Sequence, residues 1–165
     1  MKGLFISMKL NSPIDISMNE FVKKGKFDCI QLGQTKEWIL DNFPNPDNDC
    51  HSMSYKDTIW GYGSFEFFFD KNLLVSIFCH HLDFDGGDNL KVDKWVFGEP
   101  ITLIKFIEIL NRDGVDFNLT HKKWLDTEVW ITISDSKVVL AFTGENEENY
   151  NNLELHSVSL SSRTV

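Results

Sequence analysis

Phe65-Glu66-Phe67-Phe68-Phe69 runs into Asp70-Lys71-Asn72 and returns as Leu73-Leu74-Val75-Ser76-Ile77-Phe78-Cys79-His80. Side chains alternate between the two faces of a strand, so Phe65, Phe67 and Phe69 share one face and Glu66 and Phe68 the other. The three polar residues between the runs supply a short turn, and the pair predicts an antiparallel hairpin. The return strand is apolar on both faces, which predicts a central strand covered above and below.

The flanks extend this pattern upstream. Trp60-Gly61-Tyr62-Gly63-Ser64 carries the glycines of a bend or bulge feeding the hairpin. It leads into a strand and not a helix, and the chain holds neither G-x-x-x-x-G-K-[ST] nor G-x-G-x-x-G, so phosphate cradles are not expected. Gln34 to Phe43 reads as a helix, with Thr35 as N-cap, Trp38, Ile39 and Phe43 on one face, and Pro44 as the stop. Asn45 to Tyr55 is a polar loop. A short helix follows Ser17, with Phe21 and Val22 inward and Gly25 near its end. Leu4, Ile6, Met8 and Leu10 alternate as a first strand, broken by Ser12-Pro13.

Downstream, Asp83 to Asn89 is a turn and Leu90 to Phe97 a strand ended by Gly98 and Pro100. Thr102 to Arg112 is the strongest helix, with Leu103, Phe106, Ile107 and Leu110 as its stripe and Gly114 as its stop. Phe117 to Thr120 is a short strand. Glu128 to Ile133 and Lys137 to Phe142 form a second hairpin around Asp135-Ser136. A charged loop, Glu145 to Asn152, precedes a last strand marked by Leu153, Leu155, Val158 and Leu160, with 153–165 partly frayed. The expected fold class is α+β: a single domain over 1–165, with a largely antiparallel sheet of two hairpins and helices packed on one face.

At 165 residues the chain is long enough to build one sizeable core without disulfides. Its three cysteines, Cys29, Cys50 and Cys79, form no CxxC pair and no zinc-like spacing. Cys79 lies in an apolar run and reads as a buried free thiol. The opening Met1 to Met8 is too short and mixed for a signal-peptide core, and no apolar run reaches membrane-span length, so a cytoplasmic location is expected. The formal net charge is -9. Such a globule repels nucleic-acid phosphates and attracts a basic partner, although the same charge also serves solubility alone. Trp38, Trp60, Trp95, Trp124 and Trp130 are expected mostly in the core. Trp124 follows Lys122-Lys123 in what reads as an exposed connection and is the one most open to the surface, where tryptophan favours interface anchors, although the core is the favoured reading for it as well.

One cluster looks chemical: His80-His81-Leu82-Asp83-Phe84-Asp85-Gly86-Gly87-Asp88. Adjacent histidines on a strand point to opposite faces, so one metal cannot take both without a bulge. Asp83, Asp85 and Asp88 resemble a calcium loop, but Lys94 stands where a bidentate Glu is required. Asp and Gly are also the residues tight turns prefer. A structural turn, a partner-facing acidic patch and a metal site all remain open at this point. Nucleophilic catalysis has no G-x-S-x-G frame, and His51 beside Cys50 is adjacency in sequence only.

Several segments resemble a family of small bacterial proteins encoded beside polymorphic and contact-dependent growth inhibition toxins. They are Leu32 to Asp47, Trp60 to Asp70, Gly86-Gly87, Asp93-Lys94-Trp95, Gly114-Val115-Asp116-Phe117 and Val129 to Phe142. The resemblance implies an immunity-like role and brings no catalytic residues, because the matching positions are mostly Trp, Phe, Gly and Pro. One departure stands out. The family's second hairpin turn reads Ser-Gly-Val, and here it is Ser136-Lys137-Val138, which puts the local turn type in doubt.

The expectation is an immunity protein, not an enzyme, that binds and neutralises the C-terminal domain of a cognate toxin through acidic complementarity. Nuclease domains suit it because their clefts are basic. The expected contacts are Asp83, Asp85, Asp88, Trp124, Glu145, Glu147 and Glu148, with no catalytic residue, metal, cofactor, nucleic acid or membrane. The alternatives are a metal-assisted hydrolase using His80, His81 and the nearby aspartates, or a regulatory protein-binding scaffold. A monomer is expected, or a dimer through an edge strand.

Overall fold

The structure, a computed structural model, describes residues 12–47, 58–121, 127–144 and 152–162. Its first half contains β1 (Ile14–Ser17), α1 (Met18–Lys24), α2 (Lys36–Asn42), β2 (Ile59–Tyr62), β3 (Phe65–Asp70), β4 (Leu73–Cys79) and β5 (Leu90–Asp93). A 3-10 turn (Trp95–Gly98) leads to α3 (Leu103–Arg112), β6 (Phe117–His121), β7 (Glu128–Ile133), β8 (Val139–Thr143) and β9 (Glu154–Ser161). Seven strands form one antiparallel sheet in the order β2-β3-β4-β9-β8-β7-β6, and β1 pairs with β5 in parallel as a separate ribbon. The expected α+β architecture is the one found.

The aromatic hairpin forms as its alternation requires. Phe65, Phe67 and Phe69 are buried and Glu66 and Phe68 are half-exposed. The return strand departs from expectation. A bulge between Phe68 and Phe69 leaves Val75 without a register partner, so burial passes from Leu74 to Ile77 and Cys79. An extra residue shifts the period-two pattern by one. β4 is therefore central in the sheet but not covered on both faces: Leu73 is exposed, and Val75, Ser76 and Phe78 are half-buried.

The buried face of the sheet forms one apolar cluster with Phe21 and Val22 of α1, Ile39 of α2, and Leu103, Phe106 and Leu110 of α3. Phe27 links the layers, with its ring 5.4 Å from Phe21 and 5.1 Å from Phe65. Phe106 meets Phe142 at 5.8 Å. Ring pairs at these separations add to the burial energy of the side chains themselves.

The local signals for α1 are realised closely. Ser17 caps it by accepting from Glu20 N, and Gly25 closes it at φ 67, a conformation without penalty for glycine. Thr35 caps α2 through the Trp38 amide. Trp38 itself is not on the inner face, being 37% exposed while Ile39 is buried. Successive helical residues are rotated by about 100°, and this short helix packs through Ile39 alone. Among the described tryptophans none is fully buried: Trp60, Trp95 and Trp130 are half-buried. Lys23 ties α1 to the end of α3 through Asp113 at 2.8 Å. The Asp113 carboxyl is drawn down to about 2, first by its bond from Arg112 and then by that from Lys23.

Two further expectations change. The expected strand over Leu90 to Phe97 ends at Asp93, because Asp93 Oδ1 accepts from Trp95 N and the chain turns into the 3-10 segment. The expected fraying over 153–165 does not hold for β9, which lies between β4 and β8 with hydrogen-bonded neighbours on both sides. The edges of the seven-stranded sheet are β2 and β6. The expected first strand, Leu4 to Leu10, and most of the polar loop over Asn45 to Tyr55 lie outside the described residues.

The second hairpin turn is made with a non-glycine residue in the left-handed region. Lys137 itself adopts φ 65. The Ser136 hydroxyl donates to Val22 O at 2.6 Å and accepts from Val138 N at 3.1 Å, which locks this turn onto α1.

Candidate functional site

The 83–88 turn packs against the turn joining β2 and β3. Gly63 and Ser64 make that second turn, with Tyr62 paired to Phe65 across it. Ser64 is buried and anchors the contact: its hydroxyl donates to Asp83 Oδ1 at 2.5 Å and accepts from Asp85 N at 3.1 Å. Ser64 N donates to Asp85 O at 2.7 Å. Asp85 Oδ1 in turn accepts from Gly87 N at 3.0 Å. The Ser64 hydrogen bond, more than any other influence, holds the Asp83 carboxyl below the usual carboxylate range.

Asp47 completes the knot, although sequence reasoning assigned it no role. It accepts from Gly63 N at 2.5 Å and from Asn89 Nδ2 at 3.2 Å. The signal available was a lone Asp after Pro44-Asn45-Pro46, a pattern shared by many surface turns. Gly63 stands at φ 58, and a Cβ there would meet the backbone of Asp85, Gly86 and Gly87.

Asp83 and Asp85 are thus brought together as turn-forming groups. Asp88 is exposed on the same turn and makes no side-chain hydrogen bond to another described residue in the network above. Trp124, Glu145, Glu147 and Glu148 lie outside the described residues.

The histidine expectation is overturned. His80 and His81 do not face opposite ways; their rings lie 4.1 Å apart. β4 ends at Cys79, so strand alternation no longer governs the two residues that follow. His80 Nδ1 is 4.0 Å from Glu66 Oε2, and the His80 ring is 5.5 Å from Phe78. Among the described residues, no group of three or more His, Cys, Asp or Glu is arranged to hold a metal ion. Cys79 is buried, and desolvation pushes its thiol up to about 12. A thiol held neutral in this way is a poor nucleophile at neutral pH.

The face of the sheet opposite the core carries Glu66, Phe68, Ser76, Phe78, Trp130, Val139 and Ser159, placed together by the strand registers and half-buried. Phe68, Phe78 and Ser76 line a shallow hollow of about 420 Å³ there. Among the described residues, no helix is long and apolar enough to cross a membrane. Compared with known proteins, the chain matches no family model, no curated protein and no solved structure.

Proposed function

We propose that this chain is a toxin-neutralising protein that acts by binding and not by catalysis. Its partner is the C-terminal domain of a cognate bacterial toxin with a basic surface. One observation carries the reading: Asp85 and Asp88 stay exposed on a turn held by the Asp85 N to Ser64 hydroxyl and Gly87 N to Asp85 Oδ1 hydrogen bonds and braced at its end by Asn89 Nδ2 to Asp47, on a chain of formal charge -9. A rigid acidic projection loses little conformational entropy on docking, and its field speeds encounter with a basic patch. The resemblance of Leu32–Asp47 and Trp60–Asp70 to proteins encoded beside polymorphic toxins supports the same partner class.

A regulatory scaffold would use the same surface and differ only in the identity of its partner. Growth separates the two. The C-terminal region of the protein encoded immediately upstream is expressed in a sensitive bacterial host, with and without this chain. Rescue of growth together with co-purification is the expected result. Arrest that this chain does not relieve would refute the toxin-neutralising reading.

A further inference from the structure

A second feature lies one segment along from the acidic turn. The loop after β4, the 3-10 segment and the start of β9 enclose a groove of about 200 Å³. Phe84, Phe97, Ile101 and Leu155 are among its apolar walls, and the exposed Glu99 and Glu154 are its charged lining among the described residues. Among the described residues, no lysine or arginine lines it. None of the salt bridges among the described residues involves Glu99 or Glu154.

The groove is built before anything enters it. Leu155 N donates to Ile101 O at 3.1 Å and Leu103 N to Leu153 O at 2.7 Å, joining the segment before α3 to the start of β9. Phe84 stands at φ 47, a left-handed conformation that is rare for a bulky residue, and its ring stacks on Phe97 at 5.1 Å and 24°. Backbone held this way persists only where the surroundings enforce it. The volume is below the roughly 300 Å³ at which small-molecule sites begin, and suits a single extended side chain.

We propose that this groove takes one arginine side chain presented by a protein partner; that the partner is the toxin domain rests on the reading above. Arginine matches both halves of the lining. Its aliphatic stem packs on apolar walls while its head stays with the carboxylates. A guanidinium also stacks on aromatic rings and pairs with carboxylates in a way a compact ammonium does not. The net negative charge of the chain favours the same cation at longer range.

Methyl NMR of the full chain tests this without the toxin. The probes are the capped peptide acetyl-Leu-Arg-Leu-amide, its citrulline counterpart and spermidine. The arginine peptide is expected to shift the Ile101 and Leu155 methyls saturably, about fivefold more tightly than the citrulline peptide, as two partly exposed charge pairs allow. Spermidine, a cation without apolar flanks, is expected to leave them unshifted. The Glu99→Gln/Glu154→Gln variant, with its amide spectrum as a check on folding, is expected to bring arginine down to the citrulline level. No saturable shift with the arginine peptide, or equal shifts with citrulline or spermidine, would overturn the proposal. Growth rescue by a chain whose groove ignores arginine would defeat this inference alone. Arginine binding by a chain that fails to rescue would defeat the toxin-neutralising reading alone.

Discussion

The Asp83 carboxylate accepts a hydrogen bond from the Ser64 hydroxyl at 2.5 Å, and the same hydroxyl accepts from the Asp85 amide. One buried serine therefore holds the acidic turn against the aromatic hairpin. Ser64→Ala removes both bonds and should cost about 1–3 kcal/mol at neutral pH, read by urea denaturation. The Asp83 carboxyl lies lower in the folded chain than in the unfolded one. Its contribution is complete above the unfolded value near about 3.9 and is lost as pH falls through the folded value. The penalty of Ser64→Ala should accordingly shrink below about pH 4.

Gly63 sets the geometry on the other side of that contact. At φ 58, facing the backbone of Asp85, Gly86 and Gly87, it has no room for a methyl group. Gly63→Ala combines a left-handed non-glycine residue with a clash against main chain, and should cost about 2 kcal/mol or more. A thermal melt checks this. A melting temperature equal to wild type would mean the two turns do not pack as described.

Lys137 gives the opposite sign. It occupies φ 65 in a turn where glycine is at ease, so Lys137→Gly should raise stability by about 0.5–1 kcal/mol. The bond from Lys137 Nζ to Ser134 O is exposed and offsets little of that gain. Ser136→Ala, one residue earlier, should destabilise by about 1–3 kcal/mol, because Val22 O and Val138 N lose their partner in a buried site.

Cys79 offers a chemical readout of the core. Its thiol is pushed up to about 12 by desolvation, and its folded value therefore lies above the unfolded one near about 8.5. The stability it contributes is complete below that unfolded value and falls as pH rises through the folded one. At pH 8, iodoacetamide should label Cys79 at the rate of global unfolding and no faster. Rapid labelling of the native chain would show that β4 opens locally.

Much of the fold was legible because its signals are local. The Phe65-Phe67-Phe69 alternation, the Ser17 and Thr35 caps and the Leu103-Phe106-Leu110 stripe each depend on neighbours a few residues away. What escaped depends on distant pairing or on one inserted residue. Nothing near Ile14 announces that it pairs in parallel with Leu90, and nothing near Ser159 announces that it lies between Phe78 and Val139. The bulge opposite Phe68 and Phe69 shifts β4 by one residue without a glycine or proline to mark it. At the site, Asp83 and Asp85 read correctly as turn residues. Their lock, Ser64, and their brace, Asp47, come from separate stretches of the chain, and no spacing rule connects them.

The most direct measurement is the association rate of the purified chain with the C-terminal domain of the upstream-encoded protein, at low and high salt. The comparison is between wild type, Asp85→Lys/Asp88→Lys, and a control reversal at Asp41 and Glu108, exposed residues of α2 and α3. Electrostatic steering onto the acidic turn predicts binding by wild type that weakens with salt. It also predicts association about tenfold slower for Asp85→Lys/Asp88→Lys, and a clearly smaller loss for the control. Equal rates for the two variants, or no complex with wild type, would contradict the account.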